Sequence, residues 1–189
     1  MPIKQLLALI APPARPVDNE GNWQAAEIVV GAEYPPDFRD LITRYGTGAF
    51  FQGHLKVFNP LTIVGLALIK QNERYLRQHR EGPYALPLPV HPEAPGLLPW
   101  GHDENGNDYC WLTKGRPEKW PVVFLGHGQA CHPFQFRTDI TGFLAGYATD
   151  TFKELIQPDA PMTEAMREFT RGRSAAEDAR LAAKDRNRR

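Results

Sequence analysis

The chain has 189 residues, 42% hydrophobic and 23% charged, with 22 Lys and Arg against 22 Asp and Glu. That is enough apolar chain to bury one core without disulfides or metal, and it excludes wholesale disorder. A formal net charge of zero argues against a dedicated nucleic-acid binder, which carries a basic excess. Two cysteines, Cys110 and Cys131, are too few for a disulfide framework and read better as reduced thiols than as a single bridge. The N-terminal apolar run, Leu6 to Ala11, is too short for a signal-peptide core or a membrane span, so a soluble, cytoplasmic protein with no membrane association is expected.

In chain order, residues 3–10 predict a short apolar helix that stops at Pro12-Pro13. Asn22 is placed to cap a helix from Trp23 to Val30, with Gly31 to close it. Pro35-Pro36-Asp37 opens a second helix, where Phe38, Leu41, Ile42 and Tyr45 share one face. Gly46 sits where a left-handed cap is wanted, and residues 46–53 read as a glycine-spaced turn. His54 to Phe58 alternates like a strand. Asn59-Pro60 has the order that caps a helix, here from Leu61 to about His79, apolar in its first half and charged in its second. Residues 82–96 are proline-rich and aperiodic, a long loop.

A β-meander is expected next: Gly96 to Trp100, a hairpin at Asn105-Gly106, the return strand Asp108 to Thr113, then Trp120 to Leu125 and Cys131 to Phe136. Thr138 or Asp139 then caps a helix presenting Ile140, Phe143, Leu144 and Tyr147. From residue 156 onward the chain reads as a charged extension, helical or partly disordered, whose removal from residue 160 is expected to leave the core folded. Glu164/Arg167, Glu168/Arg171 and Glu177/Arg180 are spaced to pair along a solvated helix that Gly172 interrupts.

The stretch Gly96-Leu-Leu-Pro-Trp-Gly-His-Asp-Glu-Asn-Gly-Asn-Asp-Tyr-Cys-Trp-Leu-Thr-Lys-Gly-Arg-Pro-Glu-Lys-Trp-Pro-Val-Val123 resembles the SUKH superfamily. Tyr34-Pro-Pro-Asp-Phe-Arg-Asp-Leu-Ile-Thr-Arg-Tyr-Gly46 with Gly48, Trp23, Gly31 and Phe143-Leu144 match further family positions, covering roughly residues 3–150. Asn107 departs from the Asp usual after the turn, and Tyr34 from the usual Leu. The resemblance implies an α+β fold, helices packed around a curved, largely antiparallel sheet, over residues 1–155. It also implies binding instead of catalysis, since the superfamily holds the yeast cell-wall-assembly regulator and many bacterial immunity proteins of polymorphic toxin systems.

Asp103 to Asp108 resembles a calcium loop, but the sixth position is Asp108 where glycine is needed, and the twelfth is Lys114 where glutamate is needed. His127, Cys131 and His132 suggest zinc, yet strand neighbours point to opposite faces and no fourth ligand is in sequence reach. No metal or cofactor is therefore expected. Cys110, with His102 or His127 as base, is better read as an inert core thiol. Trp100, Trp111 and Trp120 read as core before cage. Lys70, Arg74 and Arg77, with Glu73 and Glu81 interleaved, read as a solvated face.

The functional expectation is a non-enzymatic module that occludes a toxin domain, a nuclease being one candidate, with no direct nucleic-acid contact. The partner-binding set is the acidic hairpin Asp103, Glu104 and Asp108 with His102, plus Trp100 and Tyr109 as aromatic anchors where exposed. Reversing the charge of Asp103 and Glu104 is expected to spare the fold. A regulatory scaffold of the same fold and a small hydrolase or metal enzyme are the alternatives.

Overall fold

In a computed structural model that describes residues 2–79, 85–127, 132–156 and 161–186, seven strands form one antiparallel sheet. The elements are α1 (Pro2–Leu9), α2 (Trp23–Val30), α3 (Pro36–Tyr45), β1 (Gly48–Phe50), β2 (Leu55–Val57), α4 (Ile63–Gln78), β3 (Leu97–Asp103) and β4 (Asp108–Leu112). They continue as β5 (Val122–Leu125), β6 (Phe134–Phe136), α5 (Ile140–Ala148), α6 (Lys153–Ile156), β7 (Phe169–Arg171) and α7 (Ala175–Arg186). The strand order is β6-β5-β4-β3-β2-β1-β7. This is the expected α+β class, with helices against both faces of the sheet.

Alternation along the central strands builds that sandwich. In β4, Tyr109 and Trp111 point into the larger core, where Phe38 of α3 and Phe143 of α5 meet them edge-on or tilted at 4.9–5.8 Å between ring centroids. Cys110 and Leu112 point the other way, into a second cluster with Leu76 of α4, Leu86, Val90, Val123 and Leu125. A sheet buried on both faces needs apolar residues at successive positions, which is why β5 reads Val-Val-Phe-Leu. Trp100, Trp111 and Trp120 are all buried, filling the core.

Capping follows ordinary chemistry at α2 and α5. The Asn22 side chain accepts from Ala25 N at 3.0 Å, and Asp139 accepts from Gly142 N at 2.7 Å. At α4 the expected cap is displaced. Asn59 is buried and donates to Asp18 O (2.8 Å) and Thr47 Oγ1 (2.9 Å). Thr62 caps instead, accepting from Gly65 N at 2.9 Å.

Residues 46–53 also differ from the expected turn, because β1 lies inside them. Gly46 has φ +68° but ψ −150°, outside the left-handed helical region, and a Cβ there would stand 2.2 Å from Val17 O. A Cβ on Gly48 would lie 2.4 Å from Phe169 Cζ. These glycines therefore admit close chain approach. The turn itself falls on Phe51 and Gln52, both at positive φ. Phe51 is held there by stacking on Tyr147 at 4.5 Å, and Gln52 by bonds to Glu168 O and Ala165 O. In the proline-rich loop, residues 85–96 carry no helix or strand beyond a bridge from Val90 to Leu97, and 82–84 lie outside the described residues. The expected fourth meander strand is described from Phe134; its start at Cys131 lies outside the described residues.

The charged C-terminal stretch contributes to the sheet. β7 pairs antiparallel with β1, Phe50 opposite Phe169. Phe169 is buried, with ring centroids 4.9 Å from Phe50 and 5.0 Å from Tyr45, and Met162 is buried in the same core. The expected helical pairs do not form: Glu164 sits in a short 3₁₀ turn, and Glu177 binds Arg171. Ser174 and Glu177 exchange backbone bonds as a capping box at the start of α7.

This packing reverses the expectation that the segment is dispensable. Phe169→Ala removes a buried aromatic and is expected to destabilise by about 3 kcal/mol, lowering Tm by roughly 10 °C. Thermal unfolding followed by circular dichroism checks this; an unchanged Tm would show that β7 is not anchored in solution.

Candidate functional site: the β3–β4 hairpin and its groove

The hairpin is built on one buried carboxylate. Asp103 ends β3, and its Oδ1 accepts from the backbone N–H of Asn105 and of Asn107, both at 3.0 Å. Its Oδ2 accepts from Asn107 Nδ2 and Tyr109 OH, both at 2.8 Å. The loop is Glu104-Asn105-Gly106, with Asp103 N donating to Asn107 O and Gly106 N to Asp103 O. Only Gly106 needs positive φ (+80°), so this is not the two-residue turn that Asn-Gly suggests. Asn107, where the family usually has Asp, must be an amide: it donates to Asp103 and accepts from His127 N at 2.8 Å, and a carboxylate has no hydrogen to give.

The expected partner-binding residues therefore separate. Trp100 and Tyr109 are fully buried core aromatics and offer no exposed anchor, because the bulge between Pro99 and Gly101 and the strand alternation turn both inward. Asp103 is buried as well and belongs to the turn, so its reversal would not spare the fold. Glu104, His102 and Asp108 stay together on the outer side and line an open groove of about 390 Å³. Its other walls are Gln71, Asn72 and Tyr75 of α4, with Asp103, Gly106 and His127. Periodicity showed α4 as a helix, but nothing in the sequence showed that its Asn72 and Tyr75 would face the hairpin.

The groove is polar and electrostatically uneven. Glu104 is 75% exposed in its side chain, while Asp108 is half-buried and accepts from Asn72 Nδ2 at 3.1 Å. Burial, reinforced by the nearby Asp103 charge, pushes Asp108 up to about 6. Burial, helped by Lys56, holds His102 below the usual histidine range. Tyr75 stands at the rim with its ring 4.2 Å from that of His79.

A second polar cluster, on the face expected to be solvated, is buried at its centre. Glu73 of α4 is buried and held by His91 Nδ1 (3.2 Å), Lys70 Nζ (3.1 Å) and Arg77 (3.6 Å). Burial opposes its ionisation, but the bonds from His91 and Lys70 outweigh that and hold it below the ordinary carboxylate range. Arg77 also donates to His91 O, so the cluster ties the proline-rich loop to α4. Glu81, expected on the same face, lies outside the described residues.

Cys110 is fully buried, and burial pushes its thiol well up, so it is a poor nucleophile at neutral pH. Cys131 lies outside the described residues. Among the described residues no group of three or more His, Cys, Asp or Glu is placed to hold a metal ion, and no helix is long and apolar enough to cross a membrane.

An open antiparallel sheet layered with helices, carrying a pinned acidic hairpin between its central strands, makes this an α+β protein. Residues 20–144, about two thirds of the chain, match the family described as SMI1-KNR4 cell-wall (SUKH_6), and the chain belongs to that family. No curated protein and no solved structure matches the chain.

Two substitutions test this electrostatic reading. Asp103→Ala takes the acceptor from four donors, the buried Tyr109 OH among them, and is expected to destabilise by about 3 kcal/mol, seen as a lower denaturation midpoint. Asp108 works in the opposite sense. Its raised folded pKa means the folded state favours the protonated form, so this contribution is complete below about pH 4 and is lost as pH rises through about 6. Asp108→Asn is therefore expected to stabilise by about 2 kcal/mol at pH 7, with the gap closing at pH 4. A gap independent of pH would show that the charge is not its cause.

Proposed function

We propose that the chain is a non-enzymatic protein-binding module, an immunity protein of the cytoplasm that neutralises a toxin domain by covering its active surface. Family membership supports the class. The observation that carries the reading is the groove, where the exposed Glu104 and the half-buried Asp108 flank a turn already held rigid by Asp103. A preorganised loop loses little entropy on binding, so more of its contact energy appears as affinity. Its chemistry suits a cationic side chain. Glu104 and Asp108 supply carboxylates, Asn72 and Gln71 supply amide oxygens, and Tyr75 offers a ring face at the rim. A toxin that handles nucleic acid presents such side chains in its substrate cleft, and an acidic loop there occupies the phosphate positions and speeds encounter. Asp108, poised near pH 6, ionises fully when a cation arrives.

The test is rescue and affinity together. Affinity capture from the native host is expected to return a toxin domain, and co-expression with that domain is expected to restore growth of a host that the toxin alone arrests. Glu104→Lys, exposed enough to spare the fold, is expected to weaken binding at least tenfold, more at low salt. Failure of the native chain to bind or rescue would reject the immunity reading. Full affinity in a natively folded Glu104→Lys variant would reject the groove as its surface.

A further inference from the structure

We infer that the chain self-associates through an apolar surface carried by α2 and the first half of α4. The two helices lie side by side and run the same way. At one end, Gly21 lies against Leu61, where an added Cβ would stand 3.2 Å from that side chain. At the other, Lys70 Nζ donates to Val30 O at 3.3 Å. Four large aliphatic side chains of this layer are turned outward: Ile28 is 74% exposed, Val29 52%, Ile63 88% and Val64 66%. Ala25 and Ala67 are exposed on the same two helices. Ala25, Ile28 and Val29 follow helical spacing, as do Ile63 and Ala67, so each helix carries a stripe and not scattered residues.

The occupant is a second copy of this chain. The exposed stripe holds no charged side chain. Glu27 is consumed by Arg39 and by Tyr34 N, and Lys70 by Glu73, while Glu20, Glu33 and Arg74 are exposed in the stretches flanking it. An uncharged apolar surface meets its own copy without like-charge repulsion, as a two-fold interface requires, and offers a charged partner no counter-ion. The chain's formal net charge of zero adds no long-range repulsion between copies. The four aliphatic side chains offer on the order of 500 Å² per copy, so two copies remove on the order of 1,000 Å² from water, the lower bound of a specific interface. Of the groove walls on α4, Gln71 lies about one turn beyond Ala67, with Asn72 and Tyr75 further still, so the patch and the groove are neighbours on one helix.

Sedimentation equilibrium of the full chain between 1 and 200 μM tests this, with Ile28→Lys/Ile63→Lys as the variant and circular dichroism as the fold control. The expected result is a native chain that moves from monomer to dimer across this range, and a variant that stays monomeric with a native spectrum. A native chain still monomeric at 200 μM overturns the inference, as does a dimer that persists unchanged in the folded variant. If the double variant fails to fold, the exposed single variant Ile63→Lys replaces it, with at least a tenfold weaker dimer expected and an unchanged one contradicting.

Discussion

The Asp103 carboxylate is the constraint on which the central sheet depends. It is buried, and its charge is tolerable because Asn105, Asn107 and Tyr109 direct hydrogen bonds at it, with His54 Nε2 3.7 Å from Oδ2. Those bonds fix where β3 ends and β4 begins. Side chains alternate with a period of two, so a slip of one residue would carry Tyr109 and Trp111 out of the larger core and put Cys110 and Leu112 in their place. One polar group thus sets the register that lets the aromatic residues find their neighbours.

Apolar burial supplies the larger share of stability. Each of Trp100, Tyr109 and Trp111 contributes on the order of 2–3 kcal/mol on leaving water, against about 1 kcal/mol net for an ordinary hydrogen bond. The polar centres choose which apolar arrangement is reached. Glu73 acts on the opposite face as Asp103 does at the hairpin, gathering Lys70, Arg77 and His91 so that a loop without regular structure has one place to lie. Removing any one partner would leave a buried charge short of compensation, which makes such clusters specific as well as fragile.

What could be read from the chain divides along the same line. Local chemistry was readable: the Asn22 cap, the Gly31 stop, the apolar face of α3 and the meander all lie where pattern and capping place them. Features set by distant partners were not. Asn59 resembles a helix cap, but Asp18 and Thr47 claim its side chain. Gly46 and Gly48 look like turn residues, yet their purpose is the approach of Val17 and Phe169. Phe169 reads as part of a charged tail because β7 is three residues long and its pairing strand lies over a hundred residues away. At the site, Glu104, His102 and Asp108 were found together because they flank one turn. Trp100 reads as core from the sequence and is core; as anchors, Trp100 and Tyr109 depended on an exposure that neither has, and Asn72 and Tyr75 were missed because they arrive on another element.

The proposed role joins these pieces. A rigid hairpin presents two carboxylates over the charged half of α4, and the apolar half of that helix is free for a second copy. Hydrogen–deuterium exchange on the chain, alone and saturated with the proposed toxin-domain partner, tests this most directly. The account predicts slower exchange in residues 70–76 and 102–108, with the proline-rich segment 85–96 unchanged. Protection of that segment with an unaltered hairpin would contradict it.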